Sequence, residues 1–144
     1  MTPDTLFSLS SAFVLPAWLI LIFAPRRWPA LNAVPTYIAP LVLSAMYAVL
    51  VLRYFSEASG GFGSLSEVRQ LFSDDMMLVA GWTHYLAFDL FVGARCAAIM
   101  DRTGVSRIIQ GFILPVIFLF GPAGFLLALA MSSGNHALIR KLRS

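Results

Sequence analysis

Charge is what this chain has least of. Of its 144 residues only 12% are Asp, Glu, Lys or Arg, 59% are hydrophobic, and the mean hydropathy is +0.82. That is too little polar surface to cover a soluble globule of this size, so the chain reads as an integral membrane protein. Cysteine is nearly absent too: Cys96 alone excludes an internal disulfide and any multi-thiolate metal site. Its place in an apolar helix makes it a small packed side chain. The net charge of +3 comes from basic residues scattered at helix ends, with no stripe of cations and aromatics, which argues against nucleic acid as a partner. A basic n-region is lacking as well. Asp4 is the only early charge and the apolar run after it is long for a signal peptide, so that run is expected to stay as the first span.

Four runs reach the roughly 20 apolar residues needed to cross about 30 Å of hydrocarbon. The expected spans are Leu6 to Ala24, Thr36 to Phe55, Met76 to Met100 and Ile108 to Met131, in one membrane domain of residues 1–144. The expected fold is all-α, an integral membrane four-helix bundle with Pro-kinked helices: Pro16 bends the first span, and Pro115 and Gly121-Pro122-Ala123-Gly124 break the ladder of the fourth. Arg26, Arg27 and Trp28 read as an interfacial belt of snorkelling cations beside an amphipathic ring. Pro29 and Pro35 are expected to keep the connection after them out of a helix, and Pro40 lies in the first turns of the second span, where a missing N–H matters least. Residues 56–73 turn polar and glycine-rich, an extramembrane loop with a short interfacial helix from Ser64 to Phe72. No strand precedes those glycines and no Gly-Lys-Ser/Thr follows them, so they are not a phosphate cradle. Ser73-Asp74-Asp75 caps the third span, which closes near Asp101-Arg102-Thr103-Gly104. Ser133-Gly134-Asn135 is expected to end the fourth, leaving His136 to Ser144 as a short basic tail. The Lys and Arg count leaves orientation tied, with Arg26, Arg27, Arg102 and Arg107 against Arg69, Arg140, Lys141 and Arg143.

The third span carries the chemistry. Ionisable groups inside a bilayer cost about 2.5–3.5 kcal/mol each on insertion scales, so His84, Asp89 and Arg95 call for a partner or a task. At 100° per residue His84 and Arg95 return to within about 20° of one face, with Phe88 and Phe91 between them. Asp89 lies about 140° round from His84, on a face with Trp82, Tyr85, Gly93 and Cys96. Two polar-bearing faces make this helix central, with neighbours on both sides. A carboxyl that keeps its proton near the middle of the span suits general-acid work, with Tyr85 one turn away to orient it. In that reading His84 would be the complementary base, and Arg95 would bind an anion or a substrate oxygen. The competing interpretation is an interhelical network, with Asp89 paired to another helix, His84 bonded to a carbonyl freed by Pro122, and Arg95 snorkelling. One histidine and one aspartate on opposed faces are too few ligands for a metal site. The small residues from Gly121 to Gly124 serve either close packing or a kink opening an apolar cleft, lined by Phe112, Phe118, Phe120 and Phe125, that suits a lipid or a polyene.

The order Trp82-x-His84-x4-Asp89-Leu90-Phe91-x3-Arg95, followed in the next span by Phe120-Gly121-Pro122-Ala123-Gly124, resembles the abscisic-acid-deficient-four-like family. The resemblance lies mainly in residues 80–130. The plant members are plastid membrane proteins required for neoxanthin synthesis, and the family implies four membrane helices and a role in xanthophyll metabolism. Nothing before Leu6 resembles a plastid transit peptide, so a bacterial member in the inner membrane is expected.

The leading hypothesis is a membrane protein of carotenoid metabolism that isomerises an epoxy-carotenoid or related polyene without a cofactor. Asp89 would be the acid, His84 the base or an orienting group, and Tyr85 and Arg95 the oxygen-binding groups, with Trp82, Phe88, Phe91, Gly121 and Pro122 contacting substrate. The rival is a non-enzymatic bundle that binds a lipid or pigment for a partner membrane enzyme, alone or as a homo-oligomer. A small transporter using Asp89 as a proton site is a third, disfavoured because no duplicated half is visible.

Overall fold

A computed structural model describes residues 1–143, with side chains for residues 1–135. Five helices follow one another: α1 (Pro3–Phe23), α2 (Pro29–Tyr54), the short α3 (Leu65–Leu71), α4 (Asp75–Arg102) and α5 (Arg107–Arg143). No strand occurs among the described residues. Four of these helices, α5 counted over Arg107–Asn135, are long and apolar enough to cross a membrane. Large side chains point outward along all of them, among them Leu19, Phe23, Leu41, Leu52, Ile108, Phe112 and Leu126. An apolar coat of that extent has hydrocarbon as its natural solvent.

The helices begin and end where local chemistry allows. Thr2 accepts from the N–H of Thr5 and Pro3 takes the first helical position, so α1 starts a turn before Leu6. Asp74 caps α4 by accepting from the N–H of Met77 at 3.0 Å. Ser64 caps α3 likewise, through the N–H of Glu67. After Arg102 the chain turns through Gly104 at φ 75°, with Gly104 N–H bonded to Asp101 O at 3.2 Å and Val105 N–H to Met100 O at 2.9 Å. This is the paired closure that favours glycine at a helix C-terminus.

Two sequence expectations are corrected. Pro29 and Pro35 do not keep their segment out of a helix. Pro29 opens α2, where its missing N–H would have had no partner. Pro35 is absorbed in a π-turn over Val34–Ile38, in which Ala39 N–H reaches back to Val34 O. One wider turn thus accommodates the donor that proline lacks. Nor does α5 stop at Ser133-Gly134-Asn135; its helical course runs on to Arg143. The side chains of the basic tail from His136 to Ser144 lie outside the described residues.

Helix α4 is central, packing against α1, α2 and α5. Leu90, Cys96 and Met100 of α4 are sealed against Trp18 of α1, Leu43 of α2 and Leu114 and Ile117 of α5. A smaller cluster, Leu50, Leu71, Met77, Val79 and Ala80, holds α3 against the opposite end. At the α4 C-terminal end a polar network replaces apolar packing. Asp101 accepts from Arg26 Nε at 3.0 Å and from Gln110 Nε2 at 2.7 Å. Arg107 donates to Gln110 Oε1 at 2.9 Å and to Ile22 O at 2.8 Å, and Arg26 donates to Asn32 Oδ1 at 3.0 Å. All four long helices are tied there. Arg26 therefore belongs to this network, while Arg27 lies over the Trp28 ring as the interfacial pair its sequence suggests.

Candidate functional site

The site begins with a proline in α5. Pro122 has no N–H to give Phe118 O, four residues back, and its ring crowds that carbonyl. The helix breaks just before it, at Phe120 (φ −138°, ψ 34°) and Gly121 (φ 6°, ψ −81°). A freed carbonyl in hydrocarbon needs a donor. Tyr85 of α4 supplies it, its hydroxyl donating to Phe118 O at 3.1 Å and lying 3.3 Å from Leu119 O.

One turn further along α4, Asp89 reaches the broken turn. A Cβ built on Gly121 would lie 2.5 Å from Asp89 Oδ1 and 3.1 Å from its Cγ, so any side chain there would push the carboxyl out of its place. Asp89 Oδ2 is buried without a hydrogen-bond partner. A buried acceptor without a donor is costly, and it marks the point where a proton or a hydroxyl donor would be welcome.

Aromatic rings extend this face in both directions. Trp82 packs on Tyr85 at 5.4 Å and on Phe7 at 5.1 Å, and its Nε1 donates to Ser11 Oγ at 2.9 Å. Trp18 packs 5.3 Å from Phe118 and closes over Gly93, where a Cβ would lie 2.5 Å from its Cη2. Two clefts share Trp82 and Tyr85. The larger, 610 Å³, opens at the α4 N-terminal end between Asp4, Phe7, Phe72 and Asp75. The smaller, 330 Å³, continues between α1 and α5 past Ser11 and Val14 to Phe118 and Leu119.

The expected constellation is thereby divided. Trp82, Tyr85, Asp89 and Gly121 come together, with Pro122 as the cause of the break. His84, Phe88, Phe91 and Arg95 lie on the other side of α4 and are exposed. His84 packs on Phe88 at 4.6 Å and on Tyr47 of α2 at 5.3 Å, so it joins neither the freed carbonyls nor Asp89. Sequence reasoning missed Ser11 and Trp18, and it gave the carbonyl freed by Pro122 to His84, where the structure gives it to Tyr85. Among the described residues no three His, Cys, Asp or Glu side chains gather as metal ligands.

By fold and site this is a multi-pass helical membrane protein with a carboxyl packed into a break of its last long helix. It belongs to the ABA DEFICIENT 4-like family, whose model matches residues 5–127. It is similar to Protein ABA DEFICIENT 4, chloroplastic, of Arabidopsis thaliana, with 24% identity over 96 residues that cover 61% of this chain and 44% of that protein. The chain thus aligns with less than half of the plant protein's length. No solved structure matches.

Proposed function

We propose that this protein acts in carotenoid metabolism within the membrane, as a cofactor-free isomerase of an epoxy-carotenoid or related polyene, with Asp89 as its acid. The observation that carries the reading is the Asp89 carboxyl, held against the Gly121 break with one oxygen unpartnered, one turn along α4 from the Tyr85 that lines an aromatic cleft. Family membership and the xanthophyll role implied by the resemblance support the substrate class. A polyene suits walls made of Phe7, Trp82, Tyr85 and Phe118, with a polar end ring near Asp4 and Asp75 at the mouth.

The chemistry closes on one carboxyl. Asp89 gives its proton to the epoxide oxygen as the ring C–O bond breaks. Its carboxylate then takes a proton from a carbon of the chain, whose C–H electrons form the new double bond. Atoms and charge balance, and Asp89 ends as it began. His84, on the far face, is not needed for either transfer. Tyr85 is a positioning residue, since its hydroxyl holds the break through Phe118 O.

A carotenoid-producing bacterial host that supplies epoxy-carotenoids tests this, expressing the chain beside Asp89→Asn at equal abundance. The expected result is a new isomer of unchanged mass that depends on Asp89. An unchanged pigment profile overturns the isomerase. It would favour the second reading, a bundle that binds a pigment or lipid for a partner enzyme. That reading draws on the apolar character of both clefts and on Asp89 not being among the residues that line them.

A further inference from the structure

The residues separated from Asp89 border a groove of their own. It lies between α2 and α4, holds 410 Å³, and is lined chiefly by Thr36, Tyr37, Pro40, Ser44, Phe88 and Phe91. One turn beyond Phe91 on the same face stands Arg95, and one turn before Phe88 stands His84. Arg95 is exposed, and the ion pairs among the described residues are Arg26 with Asp101 and Arg53 with Glu57, so its charge is unpaired.

Depth decides what can meet that charge. Arg95 is seven residues before the end of α4 at Arg102, and Thr36 is seven after the start of α2 at Pro29, so both lie roughly 10 Å inside the helix ends. A guanidinium at that depth reaches the headgroup level by snorkelling while its stem stays in hydrocarbon. Tyr37, two-thirds exposed, lines the groove at the same level. Below them the groove descends roughly 12 Å to Ser44, the track of an acyl chain.

We propose that this α2/α4 groove seats one chain of an anionic phospholipid whose phosphate pairs with Arg95. Charge complementarity selects the occupant: a carotenoid has no anion for Arg95, and a second copy packed through the same face would bring its own Arg95 to a site already cationic. The site is separate from the Asp89 cleft, and the inference does not depend on the isomerase reading.

Native mass spectrometry of the full chain, released from micelles holding equal phosphatidylglycerol and phosphatidylcholine, tests it. The wild-type protein should retain one phosphatidylglycerol in about fivefold preference, the worth of one cation near an anionic headgroup. Arg95→Gln should abolish the preference, and Arg102→Gln, at the exposed helix end, should keep it. Ser44→Phe fills the groove from an exposed position and should release both lipids. Equal retention of the two lipids by the wild type, or a preference that survives Arg95→Gln, overturns the proposal. So does a groove found to hold pigment or a second copy of the chain.

Discussion

The two faces of α4 carry the same kinds of residue and meet different surroundings. On one, Trp82, Tyr85 and Asp89 each meet a group on α1 or α5: Ser11 Oγ, Phe118 O and the Gly121 turn. On the other, His84, Phe88, Phe91 and Arg95 are exposed, with ring contacts to Tyr47 alone from α2. Polar groups in a bilayer become directional only where another helix supplies a partner. The Asp89 face has a broken helix opposite it, whose freed carbonyls and missing Cβ create the site. The His84 face has α2, continuous through its π-turn, and offers a groove.

The sharpest way to break this comparison is to remove one group from each face. Asp89→Asn should lower conversion of an epoxy-carotenoid by about 10²-fold or more, the usual worth of a general acid. His84→Ala should leave it unchanged. Pigment chromatography at matched protein abundance reads both. Equal losses would mean that the faces act together, through a substrate wrapped around α4.

A smaller effect separates the two glycine environments of α5. Gly121→Ala sets a methyl against the Asp89 carboxyl, and overpacking of this kind costs about 1–3 kcal/mol. Gly111→Ala meets nothing within 4 Å and should gain up to about 1 kcal/mol of helix propensity. Thermal unfolding in detergent reports each. In an Asp89→Ala background the cost of Gly121→Ala should shrink, since their coupling is direct.

Much of this was legible because it is local. The Asp74 cap, the closure at Gly104, α3 and the break beside Pro122 each follow from a few adjacent residues. The same logic failed at Pro29 and Pro35, where proline at a helix start and within a π-turn is tolerated. The wheel separated His84 from Asp89 by about 140°, yet it could not say which neighbour each would meet. Nothing in the sequence links Tyr85 to Phe118, Trp82 to Ser11 or Trp18 to Gly93, because those contacts exist only once α1 and α5 pack on α4. The split of the candidate set was therefore visible as an angle and invisible as a consequence.

The smallest effect tests the origin of the site itself. Tyr85→Phe keeps the ring and removes the donor to Phe118 O, and interhelical hydrogen bonds in membranes average about 0.6 kcal/mol, with a maximum near 1.7. Tyr47→Phe, on the other face, removes a hydroxyl with no protein partner among the described residues and should cost less. If Pro122 is what leaves Phe118 O in need of a donor, then Pro122→Ala restores an N–H that can reach it. In that background Tyr85→Phe should cost nearly nothing. A full Tyr85→Phe penalty in Pro122→Ala would instead place the break's origin in the Asp89 contact, and Gly121 would have to open the turn for the carboxyl without help from the proline.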